Sequence, residues 1–269
     1  MGKKEIISKS DYIITFGSFL SSDNEVIKEA IIHAIAKNSA EYIYMHPIDN
    51  IDLKVYYSQF IKYEVGSEEG IVSLLLDTFV KEASPKVKEY INDLDIGYIS
   101  AESSAGEEEF EEALEKLENK EEAILVVGRD IARHPRLDNI IKMLSVIHRY
   151  SNLSVVALDE HIQSAIQKCD ESLCEVEELA SYNGTVIYTT FEEQNEGKLI
   201  GSESFARVAK ITNKSKILID YGNEKIPKDF VIDKDLQGMV ALCAIGNDDS
   251  TSLSQGYRFK QVKIEKVDA

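Results

Sequence analysis

The sequence has 269 residues, of which 43% are hydrophobic, and its formal net charge at pH 7 is −18. This length and composition allow one large buried core or two smaller ones, and they exclude a disordered chain. The negative charge argues against nucleic acid or an anionic membrane surface as a partner, because both would repel the protein. No apolar run approaches the roughly 18–20 residues that cross a bilayer, so we expect a soluble, cytoplasmic protein.

The chain opens on an apolar run that is closed by a glycine and followed by an amphipathic helix. Residues 12–16 are apolar apart from one threonine, and Gly17 follows them. A strand that is apolar on both faces is typical of a parallel sheet covered by helices. Ser22 and Glu25 have the spacing of a capping box, which predicts where the helix begins. The stretch therefore predicts the first half of a βαβ unit.

The alternation of strand and helix continues to residue 83. Further strands are predicted at residues 42–45 and 62–65. A helix is predicted over residues 68–81, with Ser67 as its cap and acidic residues in its first turn, where the helix dipole favours them. These elements form the first predicted α/β domain, residues 1–83.

Residues 84–203 form the second predicted α/β domain. Its first helix, residues 107–118, begins at a second capping-box pattern, Ser104 and Glu107, and is almost entirely glutamate on one face. We interpret that face as solvated, and the alternative is that it docks a basic partner. The remaining predicted elements are a strand at 123–127 closed by Gly128, a helix at 137–149, a strand at 155–158, a helical stretch at 161–180 with a break near Asp170, a strand at 185–190 and a polar loop at 191–198.

After residue 203 the pattern changes to short strand-like runs. These lie at residues 216–220, 230–233, 239–244 and 257–267. We predict that residues 204–269 form a strand-rich segment packed on the second domain. The predicted fold class is therefore α/β, with two Rossmann-like three-layer αβα domains, mainly parallel sheets and short carboxyl-terminal β elements.

In open α/β sheets, ligands bind beyond the carboxyl ends of the strands, where the strand order reverses. The candidate anion site is the loop of residues 128–136, which contains Arg129, Arg133, His134 and Arg136 in an otherwise acidic protein. At the start of a helix such a loop could hold a phosphate. The alternative is that these side chains pair with the abundant carboxylates.

Other chemical signatures are sparse. His46 and His134 precede prolines and could act as acid–base groups, although the sequence shows no partner for either. The cysteines are Cys169, Cys174 and Cys243, and their spacing differs from that of zinc and redox pairs. The sequence has no G-x-S-x-G elbow, P-loop or H-E-x-x-H motif. The residues alone therefore predict no catalytic nucleophile and no metal site.

The order of several motifs resembles the molybdopterin oxidoreductase family. The segments DYIITFG, EYIYMHP and KYEVGSEEGIVSLLLDTFV are similar to one α/β domain of that family, and AILVVGRDIARHP, SVVALDE and TVIYTTFEEQNEG resemble its next domain. The resemblance covers residues 10–201 and is greatest to the G-type large iron–sulfur subunit of bacterial NADH:quinone oxidoreductase (complex I). The positions that match the family's motifs are Ser10, Asp11, Gly17, Pro47, Val65, Gly66, Ser67 and Glu68.

The chain also departs from the cofactor-binding members of the family. Those members usually carry asparagine where this chain has Ser18 and an arginine next to the position of Pro47, and a different motif follows the glycine that matches Gly197. The resemblance therefore implies that the loops containing Gly17, Ser18, Pro47, Glu193 and Gly197 are vestigial and no longer contact a pterin.

The resemblance and these departures together imply a function for the chain. It implies the carboxyl-terminal portion of a complex I subunit, a cofactor-free scaffold that supports electron transfer from NADH to quinone. Iron–sulfur clusters would belong to amino-terminal domains absent from this sequence. The implied partners are other hydrophilic-arm subunits, with no nucleic acid and no membrane insertion. The implied location is cytoplasmic and peripheral to the inner membrane. The alternative is a phosphate- or nucleotide-binding α/β enzyme domain that uses residues 128–136.

Overall fold

A computed structural model describes residues 2–246 and 250–267, and these form two compact units. The first unit comprises residues 2–47 and 52–181, and the second comprises residues 48–51 and the described residues from 182 onward. No helix in these described ranges combines the length and apolar character needed to cross a bilayer.

The first unit is built on a five-stranded sheet whose neighbouring strands are all parallel. Its elements are α1 (Lys3–Lys9), β1 (Tyr12–Phe16), α2 (Leu20–Asp23), α3 (Glu25–Asn38), β2 (Glu41–Met45), β3 (Gln59–Ile61), α4 (Glu68–Phe79), α5 (Pro85–Asn92), α6 (Ile96–Ser103), α7 (Glu107–Glu115), β4 (Ala123–Val127), α8 (Leu137–Tyr150), β5 (Ser154–Ala157) and α9 (Glu160–Lys168). The strand order is β3-β2-β1-β4-β5, so it reverses between β1 and β4.

Alternate residues of the central strands enter cores on opposite faces of this sheet. One core packs the sheet against α1 and α3, and the other packs it against α4, α8 and α9. Helices on both faces explain why β1 and β4 are buried along their whole length. The strand residues that face the first core include Ile13, Tyr42 and Ile124, and those that face the second include Ile14, Ile43 and Leu125.

The pairing of β1 with β4 crosses the domain boundary predicted at residue 83. The two strands lie in parallel register, with Tyr12 beside Ala123 and Phe16 beside Val127. Each strand is apolar on both faces, and each satisfies backbone hydrogen bonds of the other. The two predicted domains therefore share one sheet, and the division between units lies after residue 181 rather than at 83 and 203.

The second unit contains a seven-stranded mixed sheet of order β11-β6-β10-β7-β9-β8-β12. Its elements are β6 (Val186–Thr190), β7 (Lys198–Gly201), α10 (Glu203–Ala209), β8 (Lys216–Tyr221), β9 (Glu224–Ile232), β10 (Val240–Ala244), β11 (Phe259–Gln261) and β12 (Lys263–Lys266). Among the strand pairs that the structure describes in this sheet, β6 with β10 and β7 with β9 are parallel and the others are antiparallel. The α/β class is confirmed. The second sheet is mixed, and most of its strands lie after residue 203.

Several element boundaries differ from the predicted ones. The third strand is Gln59–Ile61 rather than residues 62–65, because Gln59 to Ile61 pair in register with the last three residues of β2. The helical stretch predicted over residues 161–180 ends at Lys168, close to the break predicted near Asp170, and no helix follows it before residue 181. The sequence pattern did not predict α1, β7 or α10, each of which is four to seven residues long.

Both predicted capping boxes are replaced by neighbouring caps. Asn24 caps α3, because its side-chain oxygen accepts from the Ile27 N–H at 3.2 Å. Ser22 lies inside α2 and donates to the Phe19 carbonyl instead. At α7 the N-cap is Gly106, whose N–H donates to the Glu109 carboxylate at 2.9 Å.

Candidate functional site

A buried polar cluster lies at the carboxyl edge of the five-stranded sheet. Its members follow different strands: Ser18 follows β1, His46 follows β2, Tyr63 and Glu68 follow β3, and Asp130 follows β4. All of these side chains are buried. Neighbouring parallel strands end at the same edge, so the topology collects residues that are far apart in the sequence. The cluster adjoins the point of strand reversal, where sheets of this type bind ligands.

His46 and Asp130 form the pair nearest to this reversal. The His46 Nε2 lies 3.1 Å from the Asp130 Oδ2, and the two side chains are 0% and 1% exposed. The rings of Phe19 and Tyr44 pack on the imidazole, each with its centroid 5.8 Å from the imidazole centroid. Because both groups are buried, the hydrogen bond between them fixes the position of the imidazole.

A histidine held by a carboxylate is the base-and-orienting part of a hydrolytic triad, which also requires a nucleophile. A candidate on the β1 loop is Ser18, and its hydroxyl donates to the Asp23 carboxylate at 3.3 Å. The Asp23 carboxylate also accepts from the Phe19 N–H at 3.0 Å. These bonds hold the β1 loop in place and direct the Ser18 hydroxyl into the loop itself.

Tyr63 places a phenol within the same cluster. Its hydroxyl is fully buried and makes no hydrogen bond to the described part of the chain. Burial raises the pKa of Tyr63 well above its ordinary value, and the nearby carboxylates of Glu68 and Asp130 raise it further. The phenol therefore stays neutral across the physiological pH range.

His134 joins the β4 loop to the start of α4. Its Nδ1 accepts from the Arg136 N–H at 3.1 Å, and its Nε2 lies 3.3 Å from the Glu68 carboxylate and 3.4 Å from the Gly66 carbonyl oxygen. Because Nδ1 accepts a hydrogen bond, Nε2 is the donor of the ring, and its hydrogen-bond acceptor is the Gly66 carbonyl oxygen. The histidine therefore ties two segments of the sheet edge together.

Arg136 donates to carboxylates from its Nε and Nη1 and to a backbone carbonyl from its Nη2. Its Nε donates to both oxygens of the buried Glu69, at 3.1 and 3.0 Å, and its Nη1 donates to Glu177. The hydrogen bond to Glu69 is the main reason why the pKa of Arg136 is raised. Asn139 also donates to Glu69, at 2.7 Å. The positive charge of Arg136 is therefore already neutralised by carboxylates of the protein, which weakens its attraction for an external anion.

The structure separates the four predicted anion-site residues. His134 is buried and Arg136 is half-buried, and both contact carboxylates of α4, whereas Arg129 and Arg133 are exposed on the 3₁₀ helix Arg129–Arg133. Glu193 and Gly197 lie in the second unit, and both are exposed. The loop is thus divided into a buried half that binds α4 and an exposed half that carries two arginines.

The loops that follow β1 and β4 are in direct contact. The Gly128 N–H donates to the Phe16 carbonyl at 2.8 Å, and the Asp130 N–H donates to the Gly17 carbonyl at 3.1 Å. A Cβ added to Gly128 would lie 2.0 Å from the Gly17 carbonyl oxygen. Gly17 has φ of +67°, and the Ile131 side chain would be 2.8 Å from a Cβ added there. The space between these loops is filled by the protein itself.

Among known proteins, no protein-family model and no curated sequence matches this chain. The family resemblance therefore stays a prediction from the order of the motifs.

Within residues 2–246 and 250–267, no three or more histidine, cysteine, aspartate or glutamate side chains are grouped so that they could hold a metal ion.

Some of the motif positions have structural roles that are visible in the contacts. The Asp11 carboxylate accepts from the backbone N–H groups of Glu121 and Glu122, both at 3.0 Å, which fixes the residues before β4 beside β1. The Ser10 hydroxyl donates to the Ile6 carbonyl at the end of α1. Pro47 is buried at the end of β2. Ser10 and Asp11 therefore stabilise the amino edge of the sheet, and Pro47 lies at its carboxyl edge.

Proposed function

We propose that this chain is a cofactor-free scaffold portion of the large iron–sulfur subunit of an NADH:quinone oxidoreductase. It supports electron transfer from NADH to quinone without holding a redox centre. The observation that carries the cofactor-free part is the contact of the β1 and β4 loops, in which Ile131 packs over Gly17. The β1 and β4 loops pack directly against each other, which supports a role in which no pterin or nucleotide lies between them. The family assignment rests on the order of the sequence motifs.

A scaffold role fits the physical character of the first unit. Electron tunnelling between redox centres requires fixed distances, and a parallel sheet with close-packed helices on both faces resists deformation. In this proposal the chain packs against other hydrophilic-arm subunits. It lies on the cytoplasmic side, peripheral to the inner membrane through the complex.

Reconstitution tests the absence of a redox centre. The protein is incubated with ferrous iron and sulfide in one experiment and with molybdopterin in another, then desalted and examined by visible absorption. We expect no stoichiometric chromophore and no bound pterin, because the protein itself fills the space between the β1 and β4 loops. A stoichiometric cluster or a pterin that survives desalting would refute the proposal.

Assembly tests the partner assignment. The protein is mixed with purified hydrophilic-arm subunits of a bacterial complex I and analysed by size-exclusion chromatography. We expect co-elution with at least one of these subunits. An acidic protein of similar size and charge provides the control, and co-elution of that control to the same extent would show that only charge is being detected.

A second candidate function is phosphate or nucleotide binding at the exposed half of the 128–136 loop. Arg129 and Arg133 favour it, because both are exposed four residues apart on one 3₁₀ helix. A ligand of the folded state raises the melting temperature through a free-energy gain of RT ln(1 + [L]/Kd). A thermal-shift screen of nucleotides and sugar phosphates, repeated on the double variant R129A/R133A, distinguishes this function. A shift that the double variant loses would favour it over the scaffold.

A further inference from the structure

A groove of about 390 Å³ opens on the surface of the first unit, on the helical side opposite α1 and α3. One wall is the corner between α5 and α6. The other wall is part of residues 169–181, a segment without helix or strand that we call the strap. The volume falls within the range of sites that hold a peptide side chain or a small ligand.

The strap is fixed where it forms the groove. The Tyr90 hydroxyl donates to the Cys174 carbonyl at 2.9 Å, and the Cys174 N–H donates to the Asn139 side-chain oxygen at 2.9 Å. The Arg136 Nη2 donates to the Glu175 carbonyl, also at 2.9 Å. These bonds hold a segment that has no helix or strand, so the groove is preformed and needs little ordering when a ligand binds.

A second anchor holds the beginning of the strap. The Glu171 carboxylate accepts from the hydroxyl groups of Tyr150 and Ser84 and from the Arg149 guanidinium, at 2.6 to 2.7 Å. The Tyr150 hydrogen bond, followed by those from Ser84 and Arg149, lowers the pKa of Glu171 to about 2. The strap is therefore anchored at both Glu171 and Cys174.

Every charged side chain that lines the groove is acidic. Asp93, Asp95 and Glu175 are exposed on its two walls. None of their carboxylates forms an ion pair within the described ranges of the chain, and that of Asp95 accepts a hydrogen bond from the Tyr98 N–H at 3.0 Å. Three uncompensated carboxylates around one concavity attract a cation more strongly than scattered surface charges do.

The rest of the lining suits the apolar stem of a cationic side chain. Tyr98 is 40% exposed, and Tyr90 is half-buried beside it in the lining. The faces of tyrosine rings attract guanidinium and ammonium groups. Leu94, Ile99 and Val176 supply the apolar part of the surface. The combination favours arginine or lysine side chains, which carry a charged end on an apolar stem.

From these features we infer that the groove is a docking site for an arginine- or lysine-bearing segment of a partner protein. The charge balance selects this occupant, since another copy of a chain with net charge −18 would be repelled. The inference deepens the proposed scaffold function by naming the surface and the chemistry of the partner, but it does not depend on which complex the chain belongs to.

The test uses the full-length protein and a labelled peptide in which arginine, leucine, arginine, alanine and arginine are flanked by glycines. Fluorescence anisotropy measures the dissociation constant at 0.15 M salt. A peptide with citrulline in place of each arginine keeps the shape and removes the charge. We expect saturable binding of the arginine peptide and at least about tenfold weaker binding of the citrulline peptide. Equal binding of both peptides, or no binding, refutes the inference.

Two sets of variants localise the binding. The double variant D93N/E175Q removes two groove charges, and we expect it to weaken binding about fivefold. The control E111Q/E115Q removes two exposed carboxylates of α7, which is a different surface, and it should change binding less than twofold. Y98L keeps an apolar side chain and removes the tyrosine ring, so it should weaken binding two- to fivefold.

Equal losses in D93N/E175Q and E111Q/E115Q would show that the peptide senses only net charge, and the inference would fail. Self-association of the protein that D93N/E175Q abolishes would also overturn it, since the occupant would then be a second copy. If hydrophilic-arm subunits co-elute with the protein while the peptide does not bind, the scaffold function stands and the groove assignment falls.

Discussion

Two glycines determine how closely the β1 and β4 loops approach each other. Gly17 needs the left-handed conformation, with φ of +67°, and Gly128 needs the absence of a side chain, because the Gly17 carbonyl oxygen would lie 2.0 Å from its Cβ. The sequence marks both positions as glycines that end apolar runs. It does not show that the two would touch, because that requires the strand order.

The substitution Gly128→Ala tests this contact. We expect it to destabilise the protein by about 2–4 kcal/mol, since the backbone of Gly17 cannot move away as a flexible side chain would. Urea unfolding followed by circular dichroism measures the change. Gly97→Ala is the matched control: a Cβ there meets nothing closer than 3.9 Å, and alanine favours the helix, so its stability should be unchanged or slightly higher. A Gly128→Ala protein as stable as the wild type would contradict the interpretation that the β1 and β4 loops are in direct contact.

The residues of the candidate site were only partly predictable. The loops after β1, β2 and β4 could be singled out, and His46 and His134 could be named, because each follows a recognisable strand or glycine. Their partners could not be identified. Asp130 lies 84 positions from His46, and Glu68 becomes a neighbour of His134 only when β3 and β4 end at the same edge of one sheet. No sequence pattern marked Tyr63 as a site residue, because the third strand was predicted over residues 62–65, which include Tyr63, whereas β3 ends before it.

At the scale of the elements, β1 and β4 were predicted with their observed bounds, because each is a short apolar run closed by a glycine. Elements whose apolar face is short gave weaker signals. The third strand was misplaced because residues 62–65 alternate in polarity like a strand, whereas Gln59–Ile61 pair with β2. The helix starts predicted at residues 68, 107 and 137 match those of α4, α7 and α8. The capping residues of α3 and α7 were misjudged by two residues, since several residues near each start are able to cap.

The beginning of α3 offers a direct comparison of two caps. Asn24→Ala removes the oxygen that accepts from the Ile27 N–H, and we expect a loss of about 1 kcal/mol in the free energy of unfolding. Ser22→Ala removes only a bond to the Phe19 carbonyl, and we expect a change within about 0.5 kcal/mol. Chemical denaturation of both variants measures the two changes in the free energy of unfolding. A larger loss for Ser22→Ala would restore the capping box predicted from the sequence.

At the scale of the whole molecule, the sequence indicated the α/β class and missed the division of the chain. The repeated pattern of strand and helix looked like two domains because each block contains its own apolar strands. Only the pairing of β1 with both β2 and β4 shows that one sheet uses both blocks. A periodic pattern reports which faces are buried and carries no information about which strand lies next to which.

Fragments test this division. A fragment of residues 84–203 contains β4 and β5 but lacks β1, the neighbour on which β4 depends. We expect it to lack a cooperative unfolding transition, whereas a fragment of residues 2–181, which contains all five strands, should unfold cooperatively in urea. Circular dichroism distinguishes the two results. Cooperative unfolding of the 84–203 fragment would instead support the boundaries predicted from the sequence.

The order of strands in the first unit also has a consequence for synthesis. Tyr12 emerges early from the ribosome, but its partner Ala123 is not made until much later. Until then, one side of β1 has unpaired backbone groups, and an open strand edge invites pairing with other nascent chains. Translation between these two points is therefore the interval in which a chaperone would be most useful to this protein.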